Sequence, residues 1–217
     1  QEYLGIPSDK IDVIYQGCNP AFYIPLSADE KKKIRLKYGI PEQYILYVGT
    51  IEERKNLLTL LKAMHAGKIQ LPLIAIGRPT KYLKKIKTFM QRHKLHDVKF
   101  LDEIENTHLP AFYQMASVFV YPSFYEGFGI PILEALASGI LVVTSTGSCF
   151  AEAGGNAVLY TSPHNHEELA EAIKSVLSDC GLQKKMRELG LQHASAFNAE
   201  KMAENVMNTY LKALQND

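Results

Sequence analysis

Two adjacent cations lie at the point where an apolar run gives way to a helical pattern. Arg54 and Lys55 follow Gly49 and Thr50, which end a β-like run, and they precede a stretch of helical periodicity. Cations are normally favoured at helix C-termini, so a pair of them before a helix N-terminus favours an anion as a third partner. The alternative is that both cations pair on the surface with Glu52 and Glu53.

A second segment joins a carboxylate to a glycine-rich loop. Glu126 comes just before Gly127 and Gly129, and Glu134 follows eight positions after Glu126 on an otherwise apolar helix. The glycines would let the backbone wrap a phosphate or a sugar, although position 132 is not the third glycine of a dinucleotide fingerprint. A carboxylate on an apolar helix is rarely there for packing, but it could also face solvent.

A third segment repeats the pattern of the first. Gly77 ends an apolar run and Arg78 follows it directly, again before a helical stretch. A ligand contact and a solvated turn explain this segment equally well.

The elements that must position these three turns alternate along the chain. Short apolar runs rich in β-branched and aromatic residues predict strands at residues 11–15, 44–48, 73–76, 98–101, 118–121, 141–144 and 157–160. Helical periodicity predicts helices after Asn56, a candidate N-cap, and at residues 80–93, 109–115, 130–138 and 167–177. This alternation predicts a doubly wound, Rossmann-like α/β fold with a parallel sheet, which binds ligands where its strands end. Two extra helices are predicted in the tail, at residues 183–193 and 200–214.

Composition narrows the class of protein. The 217 residues include 24 Lys and Arg against 23 Asp and Glu, so the formal net charge of +1 provides no general attraction to nucleic acid. No apolar stretch approaches the roughly 18 residues of a membrane span, and the three cysteines lack metal or disulfide spacing, which favours a cytoplasmic setting. The basic stretch 81–94 is most simply a solvated face; the alternative is peripheral contact with anionic lipid at the inner face of the membrane. A first residue other than methionine favours a piece of a longer protein.

Together these segments resemble the retaining glycosyltransferases of the GT-B fold, the large family that includes bacterial mannosyl- and glucosyltransferases, sucrose synthase and glycogen synthases. The resemblance covers about residues 3–214. It is most specific at 121–135, YPSFYEGFGIPILEA, which is similar to the family's P-S-x-x-E-G-F-G-x-P-x-x-E-A pattern. Residues 48–56, VGTIEERKN, resemble its phosphate-binding turn, and residues 147–154 resemble its S-x-x-x-E-x-x-G loop.

The resemblance implies that this chain is the C-terminal half of a two-domain enzyme. Residues 1–20 would be the interdomain connection and first strand, and residues 21–198 the Rossmann-like domain that binds a nucleotide-diphosphate sugar. Residues 199–217 would be a helix that packs on the absent N-terminal domain. That domain would bind the acceptor, a sugar or a lipid-linked molecule.

The resemblance also implies a role for each residue of the site. Arg54 and Lys55 would clamp the diphosphate, and Glu126 would hold the transferred sugar; these three are the expected catalytic residues. Glu134 would accept hydrogen bonds from the ribose hydroxyls. The other expected donor-binding residues are Gly49, Thr50, Gly77, Arg78, Gly127, the loop residues Phe128, Gly129 and Ile130 with their backbone N–H groups, and the base-bordering turn Asp102, Glu103 and Ile104.

The expected chemistry follows from charge. Cleavage of a glycosyl–phosphate bond places negative charge on the departing diphosphate, so fixed cations and helix N–H groups lower the barrier. No D-x-D carboxylate cluster is evident, so neither a metal ion nor a cofactor is expected, and the nucleotide sugar is the substrate. The implied enzyme is a retaining, metal-independent hexosyltransferase. Many members of the family have an arginine directly after the strand glycine, where this chain has Thr50. Residues 54–56, R-K-N, instead resemble a subgroup in which GDP-mannose is a common donor, so the resemblance favours GDP-mannose. The alternatives are a non-catalytic nucleotide-binding module or another GT-B enzyme such as an epimerase.

Overall fold

A single sheet of parallel strands forms the centre of the computed structural model, which describes residues 5–215. The strands are β1 Ile45–Val48, β2 Leu73–Ile76, β3 Val98–Leu101, β4 Val118–Tyr121, β5 Val142–Ser145 and β6 Leu159–Thr161. Their order across the sheet is β3-β2-β1-β4-β5-β6, and every neighbouring pair is parallel. This is the doubly wound Rossmann order, so the predicted fold class is confirmed.

The helices within the described residues cover both faces of the sheet, except the last of them, which contributes to neither apolar core. They are α1 Ala28–Tyr38, α2 Leu57–Ala66, α3 Leu83–His93, α4 Leu109–Met115, α5 Ile130–Ala137, α6 Phe150–Gly154, α7 His166–Ser178, α8 Cys180–Ser195 and α9 Ala199–Gln215. One apolar core joins α2, α3 and α7 to one face, and a second core joins α1, α4, α5 and α6 to the other. The strands β1, β2, β4 and β5 are almost fully buried because helices cover both of their sides.

The site is positioned by the central strands β1 and β4. They are hydrogen-bonded neighbours, with Ile45 opposite Val118. The helix that follows β1 packs on one face of the sheet, whereas the helix that follows β4 packs on the opposite face. The chain therefore leaves the sheet in opposite directions at the ends of two adjacent strands, which opens a crevice where α/β proteins of this type bind ligands.

The predicted strand at residues 11–15 is wrong. This segment has no regular structure, and its β-branched side chains are largely exposed, Val13 by 69 %. It runs beside the end of the chain instead of a sheet edge: Cys18 donates its backbone N–H to the Phe197 carbonyl, and Asp12 pairs with Lys212 of α9. A β-branched run becomes a strand only where a neighbouring strand is available for pairing.

Two helices were not predicted. In α1 the residues are mostly charged, so the apolar period is weak, although Ser27 and Glu30 form a capping box that marks its start. The helix α6 has only five residues, too few to show a period. At the other predicted helices the structure agrees within a few residues, and both extra helices of the tail are present.

Candidate active site

A buried carboxylate joins the two turns that follow β1 and β4. The Glu126 side chain, 8 % exposed, accepts a hydrogen bond from Arg54 Nη1 at 2.7 Å and lies 2.8 Å from Lys55 Nζ. Both cations are themselves partly buried, with side-chain exposures of 30 % and 12 %. The structure thus brings together the three residues that sequence analysis expected to be catalytic.

Further contacts fix the two cations. Arg54 Nη1 also donates to the Tyr125 carbonyl at 2.9 Å, while the Phe124 backbone N–H donates to the Arg54 carbonyl at 2.9 Å. Lys55 Nζ donates to the Tyr121 hydroxyl at 2.6 Å. The turns are therefore joined through backbone as well as side chains, which limits the movement of the charged groups.

The predicted pairing of the cations on the surface is correct for one pair only. Arg54 Nη2 donates to Glu52 Oε1 at 2.8 Å, as that alternative expected. Glu53 instead pairs with Lys85 of α3, and the carboxylate beside Lys55 is Glu126. The cations therefore lie in the crevice and are not confined to the surface of their own turn.

Opposed effects set the protonation of the cluster. Burial acts to raise the pKa of Glu126, but Lys55, Ser123 and Arg54 outweigh it and hold that pKa below its ordinary value. Burial acts in the other direction on Arg54, whose pKa is nevertheless raised by Glu126 and Glu52. Glu126 and Arg54 are therefore both charged at neutral pH. Two cations face the carboxylates of Glu126 and Glu52, so the cluster has no excess positive charge, and an anion would be held by charge-assisted hydrogen bonds from the two cations.

Asn56 has a role that sequence analysis missed. It occupies the N-cap position of α2, as predicted, but its side chain makes no capping hydrogen bond. The buried Asn56 amide donates instead to the Pro122 carbonyl at 2.9 Å and to the Pro163 carbonyl at 2.8 Å, while Thr59 donates to its side-chain oxygen. Asn56 has a φ of +56°, a conformation that asparagine tolerates, and it fixes the β1 turn to two remote loops.

Glu134 lies one turn into α5 and is half-buried. The buried Tyr113 hydroxyl of α4 donates to Glu134 Oε2 at 2.9 Å. Burial raises the pKa of Glu134, and the hydrogen bond from Tyr113 only partly offsets this effect. One carboxylate oxygen is held by Tyr113, and the remaining lone pairs are available to hydroxyl donors.

The glycine loop leads directly into the N-terminus of α5. Gly129 occupies the N-cap position with a φ of +106°, and a Cβ there would press against Ile132 at 3.3 Å. Within residues 5–215 no side chain caps this helix, and Pro131 removes one N–H from its first turn. The Ile132 N–H donates to the Gly129 carbonyl at 2.8 Å. The start of α5 follows the Glu126 loop directly, and a helix N-terminus without a side-chain cap favours anions.

Ser148 and Cys149 support the loop from the side. Ser148 Oγ accepts from the Glu126 backbone N–H and donates to the Glu126 carbonyl, both at 3.2 Å, and Cys149 Sγ donates to the same carbonyl at 3.3 Å. Neither residue was assigned a site role from sequence. The signal that could have found them was the resemblance of residues 147–154 to a family loop.

The glycines of the β1 and β2 turns allow close approach of two backbones. A Cβ built on Gly77 would overlap the carbonyl of Gly49, so only glycine fits there. The Ile51 N–H then donates to the Arg78 carbonyl at 2.9 Å. Thr50 is half-buried in this contact, whereas the Arg78 side chain is exposed and lies outside the ion cluster. A donor contact through Arg78 stays a prediction.

The turn after β3 lies two strands from β1. Asp102 and Glu103 are exposed there, while Ile104 packs against the core that contains α4 and α5. This turn is not part of the ion cluster, and its contact with a base stays a prediction. In the part of the chain that is described, no helix is long and apolar enough to cross a membrane.

The fold and the crevice together define a class of protein, the glycosyltransferases of GT-B architecture, of which this chain corresponds to the C-terminal domain. Residues 30–193 match the family described as "Glycosyl transferases group 1", and the chain belongs to that family.

Relatives and solved structures agree with this assignment. The chain is similar to the O-antigen chain mannosyltransferase B of Escherichia coli, with 33 % identity over 94 % of this chain and 55 % of the relative. It is similar to the O-antigen chain mannosyltransferase RfbU of Salmonella typhimurium, with 33 % identity over 79 % of this chain and 45 % of the relative. Sucrose-phosphate synthase from Thermosynechococcus elongatus has the same fold, with a TM-score of 0.80 and 27 % identity over 94 % of this chain and 53 % of that structure. The chain thus spans about half the length of the curated relatives it matches.

Proposed function

We propose that this chain binds the diphosphate of a nucleotide sugar in the crevice between the β1 and β4 turns. The observation that carries the proposal is the cluster in which Arg54 and Lys55 converge on Glu126. A diphosphate carries more than one negative charge and several acceptor oxygens, so it complements two cations and the N-terminus of α5.

The positions of the two glutamates support a division of roles. Glu126 lies at the loop before α5 and Glu134 one turn inside that helix, so one ligand placed along the helix N-terminus reaches both. Arg54 and Lys55 would clamp the diphosphate, and Glu126 with the backbone N–H groups of Phe128 and its neighbours would hold the transferred sugar and the distal phosphate. Glu134 would accept hydrogen bonds from the ribose, for which its unshared lone pairs suit it.

The proposed reaction is transfer of a hexose with retention and without a metal ion. When the glycosyl–phosphate bond breaks, the anomeric carbon becomes positive and the departing diphosphate gains negative charge. The fixed cations stabilise that charge, because they need no reorganisation during the reaction. The departing phosphate would accept the proton of the acceptor hydroxyl on the same face of the sugar.

GDP-mannose is the donor that we favour. Two relatives at 33 % identity are named as O-antigen chain mannosyltransferases. The Arg54, Lys55 and Asn56 sequence is also similar to the subgroup in which GDP-mannose is a common donor.

We further propose that the acceptor is bound by residues outside this chain. The exposed apolar side chains of α9 support a packing surface for such a region; they are Met207, Tyr210, Leu211 and Leu214. The purified 217-residue chain should therefore bind nucleotide but transfer no sugar. Appreciable transfer by this chain alone, assayed with GDP-mannose, would overturn the proposed division of the enzyme.

Calorimetric titration with GDP, UDP and ADP tests the binding proposal. Measurable binding of GDP, tighter than that of UDP or ADP, is the expected result. Tighter binding of UDP or ADP would support the proposed diphosphate site but would contradict GDP-mannose as the donor. If none of the three nucleotides bound, the site itself would be refuted.

A further inference from the structure

Three aromatic rings pack together beside the glycine loop. Phe128, the residue between Gly127 and Gly129, stacks on Tyr15 with ring centroids 5.0 Å apart and planes inclined by 20°. Phe197, from the connection between α8 and α9, lies 5.7 Å from both rings. A loop residue of the candidate site is thus held by two residues that are remote from it in sequence.

Tyr15 and Phe197 are themselves fixed in place. The Cys18 backbone N–H donates to the Phe197 carbonyl at 2.7 Å, and Gly17 packs so closely on Asn198 that a Cβ would lie 2.8 Å from its carbonyl carbon. The two chain segments therefore form one unit beside the loop.

A second set of contacts connects this unit to the other side of the loop. Glu152 raises the pKa of Tyr15. The His193 ring packs 5.1 Å from Phe197, and its Nε2 lies 3.1 Å from the Glu152 carbonyl oxygen. Glu152 belongs to the same segment as Ser148, which holds the Glu126 backbone.

The loop needs such support because of its glycines. A Cβ built on Gly127 would meet nothing within 4 Å, so no neighbouring atoms pack against this glycine in the direction a side chain would take. Glycine loses the most conformational freedom when it is ordered, and a ligand that orders a free loop binds more weakly for that reason. Phe128 is a second anchor of this stretch, in addition to the contacts that Ser148 and Cys149 make with the Glu126 backbone.

We propose that Tyr15 and Phe197 are positioning residues: by clamping the Phe128 ring they hold the backbone N–H groups of the glycine loop ready for the distal phosphate of the donor. The inference rests on the proposed function of the crevice. It assigns a role to residues 11–19, which are neither strand nor helix, and to the connection before α9. A displacement of either segment would release the loop.

The test compares three variants with the wild-type chain by calorimetry. Tyr15→Ala removes the stacked ring, Tyr15→Phe keeps it and removes only the hydroxyl, and Tyr210→Ala removes an exposed tyrosine of α9 as a matched control. The probes are GDP, GMP and guanosine, or the corresponding series for whichever diphosphate binds.

Tyr15→Ala should weaken diphosphate binding by about tenfold, because the ligand must then order the glycine loop when it binds. Nucleoside binding should be unchanged. Tyr15→Phe and Tyr210→Ala should bind like wild type. Phe197→Leu should reproduce the phosphate-selective loss, with thermal unfolding showing that the domain is still folded.

The outcomes separate the inference from the function on which it rests. Equal diphosphate affinity in wild type and Tyr15→Ala would overturn the inference and leave the proposed site standing. Equal losses for diphosphate and nucleoside would also overturn it, because they indicate general damage to the fold. A wild-type chain that binds no diphosphate would refute both the site and the inference.

Discussion

The turns after β1 and β2 share a local sequence pattern but differ in what the fold does with them. In each, a strand ends at a glycine and a cation follows before the next helix. Arg54 and Lys55, in the turn after β1, are partly buried and paired with Glu126 of the turn after β4. Arg78, in the turn after β2, is exposed.

The difference comes from the position of each strand in the sheet. β1 is next to β4, and the helices that follow these strands cover opposite faces, so a crevice opens between their turns. β2 lies between β1 and β3, and the helices after β1 and β2 pack on the same face. In this fold, a cation in a strand-to-helix turn therefore lies in a ligand-binding crevice only where the helices after two adjacent strands pack on opposite faces of the sheet.

The largest expected effect compares the two arginines directly. Arg54→Ala should weaken GDP binding by about a hundredfold, since hydrogen bonds to charged groups contribute roughly 1.5 to 3 kcal/mol and Glu126 would also lose a neutralising partner. Arg78→Ala should change the affinity by less than about threefold, as expected for an exposed charge. Guanosine affinity should stay constant in both. Equal losses from the two variants, measured by calorimetry, would break the comparison.

A somewhat smaller effect is expected for Glu134. This residue sharpens the comparison of the two arginines because its proposed ligand contact is to the ribose and not to a phosphate. Glu134→Ala should weaken GDP binding by about ten- to a hundredfold and guanosine binding as well, because the lost contact is to ribose. Circular dichroism of the variant provides the control for folding. If Glu134→Ala bound every nucleotide like wild type, the ribose assignment would fail.

Sequence patterns predicted where strands and helices occur better than which segments of the chain pair with each other. Six of the seven predicted strands are present. Four of them, β1, β2, β4 and β5, are apolar runs buried on both faces, whereas β3 and β6 are partly exposed edge strands. The run at residues 11–15 has the same residue types but no neighbouring strand, a fact that depends on the whole fold. The missed helix α1 had a readable signal in its capping box.

The candidate site was likewise predicted in its local residues but not in its long-range contacts. The residue types predicted an anion as partner of Arg54 and Lys55, and the family resemblance placed Glu126 in the same site. The structure brings these three residues together. The role of Asn56 could not be predicted, because its partners Pro122 and Pro163 are 66 and 107 positions away. The ring contact between Tyr15 and Phe128 is equally remote in sequence. Long-range contacts of this kind leave no local pattern.

The protonation of Glu134 gives the next smaller effect. Its folded-state pKa lies above the ordinary value of 4.5, so the folded chain binds more protons than the unfolded chain between the two values. Glu134 therefore lowers stability as pH rises through this window. Glu134→Gln should be more stable than wild type at pH 7, and guanosine affinity in the wild type should fall as pH is lowered through the raised pKa.

Urea unfolding at several pH values checks the stability part of this prediction. Glu30→Gln is a matched control of opposite sign: hydrogen bonding to Ser27 holds the pKa of Glu30 below its ordinary value, so its contribution is present above that value and is lost as pH falls. A Glu134→Gln variant less stable than wild type at pH 7 would contradict the assigned cost of burial.

The smallest expected effect is that of magnesium. Replacing magnesium by EDTA should change GDP affinity by less than about twofold, because Arg54, Lys55 and the α5 N-terminus provide the positive charge that a metal ion would otherwise supply. Mg²⁺ prefers carboxylate oxygens, but the nearest carboxylates already have partners: Glu126 pairs with both cations, and Glu134 accepts from Tyr113. Within residues 5–215 no group of three or more His, Cys, Asp or Glu residues could hold a metal ion. Loss of GDP binding in EDTA, with recovery on addition of magnesium, would show that the cations of the β1 turn are insufficient and that the contrast between the two turns has another cause.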